Sequence, residues 1–89
     1  MGKSYLFKKR INKRSSYKTI LEAVRTLGYE LKTENKGVSI YWETTSVYDE
    51  NKSIFHSQFL TDERLPEWLN EQLEEQGLLK PEEENYMDL

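Results

Sequence analysis

The sequence predicts an α+β fold: a single small domain of order αβββα, a three-stranded antiparallel meander packed by two helices. Three observations carry this reading. Tyr17, Ile20, Leu21, Val24 and Leu27 recur at helical spacing. Tyr29 to Leu60 holds three runs rich in strand formers, separated by turn residues. Leu65, Trp68, Leu69 and Leu73 then return to helical spacing. Short turns between consecutive strands leave an antiparallel meander as the natural connection. Both helices are expected on one face of the sheet, since each has a single apolar stripe to bury.

The first helix is the most clearly marked element. Ser15 and Ser16 offer capping hydroxyls, and Thr19 with Glu22 forms a second possible capping box one turn later. Gly28 stands where a left-handed residue ends a helix, and Lys18, Glu22, Arg25 and Thr26 fall on the outward face. Tyr29 to Thr33 reads as a short strand. Asn35-Lys36-Gly37 reads as a turn, with the glycine free to take a positive φ. Val38, Ile40 and Trp42 then share one face, with Ser39, Tyr41 and Glu43 on the other. Thr44, Thr45, Val47 and Tyr48 are able to extend that strand, before a turn at Asp49-Glu50-Asn51-Lys52. In the third strand Phe55, Ser57 and Phe59 oppose Ile54, His56, Gln58 and Leu60. Trp42, Phe55 and Phe59 are expected in the core, and Tyr41 is left open. The second helix is expected to begin at Thr61 or Asp62 and to accept Pro66 in its first turn. Gly77 ends it, with Leu78 folding back as the apolar contact of a Schellman cap.

Length and composition set limits on what such a chain does. Its 89 residues bury a thin core, and 33% charged residues leave few aliphatics to build it, so eleven aromatics must contribute. There is no cysteine, hence no disulfide, thiolate nucleophile or Cys-based zinc site. His56 has no serine, aspartate or glutamate spaced to orient it as a general base. The adjacent acids Asp49/Glu50, Asp62/Glu63 and Glu74/Glu75 lack any histidine or calcium-loop pattern, and the four glycines make no phosphate loop. A non-enzymatic protein with no cofactor and no metal is expected. With no apolar run of signal-peptide or membrane-spanning length, a cytoplasmic location is expected, and the Asn51-Lys52-Ser53 sequon then meets no glycosylating compartment.

Charge is divided along the chain. Residues 1–32 hold nine Lys/Arg and two acids (9 − 2 = +7), whereas residues 33–89 hold four Lys/Arg and fourteen acids (4 − 14 = −10). Such asymmetry marks a nucleic-acid-binding arm, an acidic interaction tail, or both. The chain accordingly divides into residues 1–14, a basic arm or edge strand; residues 15–79, the αβββα domain; and residues 80–89, an acidic flexible tail. Within the basic segment Lys3, Lys8, Lys9, Arg10, Lys13, Arg14 and Lys18 are the candidate phosphate contacts, with Tyr5, Phe7 and Tyr17 able to stack on unpaired bases. The leading expectation is a small regulatory module that contacts DNA or RNA through this segment. The alternative is a protein-binding adaptor or inhibitor, of the kind mobile elements encode, that presents Glu67, Glu71, Glu74, Glu75 and Tyr86 to a basic protein partner. A third possibility neutralises both: the basic arm answers only the chain's own acidic half. An uncovered sheet face or a free edge also leaves room for a homodimer.

The element order is that of the double-stranded-RNA-binding fold. Leu27-Gly28-Tyr29-Glu30-Leu31, then Lys36-Gly37, then Leu65-Pro66 through Gly77-Leu78 is similar to HicA-type messenger-RNA interferase toxins. That resemblance covers residues 17–79 and implies a fold. Those toxins carry a catalytic histidine on the strand after the glycine, where this chain has Val38, Ser39 and Ile40. RNA-binding members of the fold carry lysines at the start of the last helix, where this chain has Asp62, Glu63 and Glu67. The resemblance therefore speaks for the fold and against either activity.

Overall fold

The computed structural model describes residues 5–81. Its elements run α1 (Tyr17–Thr26), β1 (Glu30–Glu34), β2 (Gly37–Thr45), β3 (Ser53–Thr61) and α2 (Leu65–Glu75), an α+β domain of the expected αβββα order. The strands form one antiparallel sheet in sequence order, with β2 central.

Local chemistry sets most boundaries. Ser16 caps α1, its hydroxyl accepting from the Thr19 N–H at 3.2 Å. Both helices end in the same left-handed device. Gly28 (φ 84°) and Gly77 (φ 75°) turn the chain, and the N–H groups of Tyr29 and Leu78 reach back to the carbonyls of Val24 and Leu73. Helix α2 starts at Leu65, four residues after Thr61 and three after Asp62, the two starts expected for it. Thr61 remains the last residue of β3, and its carbonyl and hydroxyl both accept from the Arg64 N–H, so the hydroxyl closes a turn rather than a helix. Arg64 then precedes the helix without a side-chain cap, and Pro66 fills the first turn. The β1–β2 turn also differs from expectation: Lys36, not Gly37, takes the positive φ (65°). Gly37 is small for another reason. A Cβ there would press on the Leu60 carbonyl oxygen and lie 2.6 Å from the Phe59 ring, which covers the glycine.

The core lies between the helices and one face of the sheet. It joins Ala23, Val24 and Leu27 of the first helix, Val38, Ile40 and Leu60 of the sheet, and Leu65, Leu69 and Leu73 of the second helix. Tyr29, Trp42 and Trp68 extend it: the Tyr29 and Trp42 rings stack at 4.9 Å between centroids, and Trp68 tilts against both. His56 stacks on Trp42 at 5.3 Å, and its Nε2 hydrogen-bonds the Thr44 hydroxyl at 2.9 Å. That environment orients it as a packing residue of the sheet.

The register of β3 overturns one expectation. Val38 pairs with Leu60, Ile40 with Gln58 and Trp42 with His56, which turns those partners toward the helices. Phe55 and Phe59 therefore lie on the uncovered face beside Tyr41, and are 78% and 51% exposed. Trp42 packs against the core as expected; the two phenylalanines do not. Val47 and Tyr48 do not extend β2 but sit exposed in the loop that the Ser46 N–H and Lys52 carbonyl close.

Candidate nucleic-acid interface

Over its described residues, 5–14, the basic segment joins no strand of the sheet and packs against the fold. From Phe7 to Ile11 it runs from Leu78 and Leu79, just beyond α2, back along the helix to Asn70 at its middle. Phe7 forms a parallel bridge to Leu79, its N–H donating to the Leu78 carbonyl. Ile11 is a core residue, 4% exposed. Its backbone is held by Asn70, whose Oδ1 accepts from the Ile11 N–H and whose Nδ2 donates to the Ile11 carbonyl, both at 2.8 Å. A single buried amide thus replaces a strand partner and satisfies both peptide groups.

This docking divides the cations. Arg10 pairs with Glu74 and donates to the Lys80 carbonyl. Lys13 borders the groove between the segment and α2, where Glu63, Glu67, Glu71 and Glu74 supply the acids. On the other side, Lys8 and Lys9 line a cleft with Leu6, Phe7, Thr19, Glu22 and Thr26. An adjoining cleft shares Glu22 and Thr26 and adds Lys18 and Arg25. Lys8, Lys9, Lys18 and Arg25 are exposed and form no ion pair with any described residue. Arg14 is exposed in the turn before α1. Lys3 and Tyr86 lie outside the described residues, as does the tail from residue 82 onward.

Arg25 is absent from the sequence-based site, although its signal was present: it stands seven residues after Lys18, on the same helical face. Asn70 was missed outright, since an asparagine in an otherwise charged helix carries no mark of burial. Of the acidic candidates, Glu67, Glu71 and Glu75 are exposed, while Glu74 is engaged by Arg10. Among the described residues no three His, Asp or Glu side chains gather as a metal-ligand set, and no helix is long and apolar enough to cross a membrane. Chemically, the arrangement offers a cationic strip on α1 and the docked segment, and an acidic groove along α2.

Compared with family models, curated proteins and solved structures, the chain matches none.

Proposed function

We propose that this chain is a small, non-enzymatic regulatory module of the cytoplasm that grips the phosphate backbone of DNA or RNA. The observation that supports it is the run of exposed cations Lys8, Lys9, Lys18 and Arg25 along two adjoining clefts, where among the described residues they form no ion pair and Glu22 is the one acid. Rigid placement matters here, because cations held in position lose less freedom on binding than those on a mobile arm. Arg14, exposed in the turn before α1, is a further candidate for phosphate contact. Arg10 and Lys13 contribute less, since they already face the acids of α2 and would have to leave them.

The test is titration of labelled single- and double-stranded DNA and RNA at several salt concentrations. Binding is expected at low salt and should weaken log-linearly as salt rises. Replacing Lys8, Lys9 and Arg25 by glutamine should reduce the salt slope by about one for each phosphate no longer neutralised. The same change at Lys13 should leave the slope nearly unchanged. Absence of binding at low salt to all four nucleic acids overturns the proposal. Deleting residues 1–14 is the wrong variant, because it also removes Ile11 from the core.

A second reading rests on the groove along α2. Glu63, Glu67 and Glu71 line one side of it with Pro66, a surface complementary to a basic protein segment. Recovery from lysate separates the two: nuclease-sensitive capture supports the first, and a stoichiometric basic protein that no longer binds after Glu67→Gln/Glu71→Gln supports the second.

A further inference from the structure

The outer edge of β3 has three properties that together specify an occupant. The first is its lack of charge. Ser53 to Thr61 contains no Lys, Arg, Asp, Glu or Pro, the residues by which exposed edges normally resist pairing. The opposite edge, β1, carries Glu30, Lys32 and Glu34 in five residues.

The second property is hydrogen-bonding geometry. At the two ends of the β2–β3 ladder, the Asp62 N–H donates to the Lys36 carbonyl and the Ser46 N–H to the Lys52 carbonyl. Antiparallel alternation then directs the even-numbered residues of β3 toward β2. Ser53, Phe55, Ser57, Phe59 and Thr61 turn their peptide groups outward, along an edge that meets no other strand among the described residues.

The third property is symmetry. Read outward from Ser57, β3 is nearly palindromic: His56 mirrors Gln58, Phe55 mirrors Phe59, Ile54 mirrors Leu60 and Ser53 mirrors Thr61. Ser57 is also the midpoint of the strand. A palindrome has no bearing on the fold of one copy, in which β3 pairs with an unrelated sequence in β2. It is what a two-fold axis requires.

We propose that two copies of this chain pair antiparallel along β3, about a two-fold axis through Ser57, to give one continuous sheet with three strands from each copy. In this register Ser57 meets Ser57 of the second copy. Each Phe55 lies across from Phe59 of the other, and Ser53 from Thr61. Every outward peptide group named above gains a partner. On the face that carries the helices, the half-exposed Ile54 comes beside Leu60 of the second copy, and His56 beside Gln58. The axis is normal to the sheet, so the helices of both copies lie on one side and the four phenylalanines on the other. Cross-strand aromatic pairs then shield the residues that a single copy leaves in water. Neither the cationic strip nor the acidic groove takes part, so this assembly stands apart from the proposed function.

Sedimentation velocity over a concentration series tests it first, with a mass of two chains expected. Ser57→Lys places like charges against each other on the axis, and Ser57→Glu does the same; each should sediment as a monomer with an unchanged circular-dichroism spectrum. An equimolar mixture of the two should recover the dimer. Cysteine variants test the register independently, because the chain has none of its own. Ser57→Cys brings two Cα atoms to about 5.5 Å across the axis, within the span of a disulfide. It should cross-link on mild oxidation. Ser53→Cys, whose symmetry mate lies roughly 26 Å away, should not link to itself but should link to Thr61→Cys when the two are mixed. A wild-type chain that stays monomeric at all concentrations overturns the proposal. So does a dimer indifferent to Ser57→Lys, or a Ser53→Cys variant that self-links as readily as Ser57→Cys.

Discussion

Asn70 does with one side chain what a strand partner does with its backbone: it meets both peptide groups of Ile11 inside the core. Its importance follows from what its removal leaves behind. Asn70→Ala strands a buried donor and a buried acceptor at Ile11, each costing about 1–3 kcal/mol. A loss of about 2–6 kcal/mol in urea unfolding is expected for the pair, whereas the neighbouring exposed Glu71→Ala should change stability by less than about 0.5 kcal/mol. Tyr29 offers a second residue-scale measurement. Burial, reinforced by the nearby Glu75 carboxylate, pushes its hydroxyl above the usual tyrosine pKa of 10.0. The folded state thus holds that proton more tightly than the unfolded chain does. The associated stability is fully present below pH 10.0 and is lost as pH rises through the folded value. Alkaline titration of wild type against Tyr29→Phe reads this: the wild-type chain should lose stability faster as the pH climbs above the ordinary tyrosine range.

At the scale of elements, the β1–β2 turn is held in a conformation its residues do not favour. Lys36 adopts φ 65° without the freedom of a glycine, a conformation costing a side-chain-bearing residue about 1–2 kcal/mol. Lys36→Gly should therefore raise stability by about 0.5–1 kcal/mol, after the greater freedom it gives the unfolded chain is set against the relief. Thermal and urea unfolding would each report it. A destabilised variant would mean that the turn is not strained.

The same elements show what was legible in the sequence. Helix α1, its serine cap and both glycine stops were readable because each depends on residues within one or two turns. The alternation of β3 correctly put Phe55 and Phe59 on one face and His56 and Leu60 on the other. It did not say which face the helices cover. Hydrophobicity favours the phenylalanine face; the pairing of Leu60 with Val38 and of His56 with Trp42 decides against it. The start of α2 was misplaced for a related reason, since the Thr61 hydroxyl served a turn that local propensity cannot distinguish from a cap. The candidate site was legible as a list of cations but not as a surface. Only the docking of Ile11 and Phe7 sorts Lys8 and Lys9 toward Lys18 and Arg25, and Arg10 and Lys13 toward the acids. Those contacts join residues 59 positions apart at Ile11 and Asn70 and still further apart at Phe7 and Leu79, beyond any local pattern.

At the scale of the whole molecule, the division of charge persists but acquires a direction. The ion pair between Arg10 and Glu74 ties the basic segment to the acidic helix, although a pair this accessible contributes no more than about 1 kcal/mol. Apolar packing and the Asn70 amide hold the segment in place, so moderate salt should not release it. That makes charge substitution on the outer strip a clean probe of nucleic-acid binding, with folded protein at every point of the titration.

Because Phe7, Ile11, Asn70 and Leu79 share one core, the basic segment is also a thermodynamic handle on the fold. A ligand that grips the segment while it is docked adds its binding free energy to the stability of the domain, about 2.7 kcal/mol at a hundred times its dissociation constant. A ligand that must first peel the segment away instead gives up the packing of Phe7 and Ile11, and its observed affinity is reduced by the cost of that opening. For equal intrinsic affinity, the size of the ligand-induced rise in unfolding temperature therefore reports whether this chain is read in its closed form, with the full rise, or must be opened, with a smaller one.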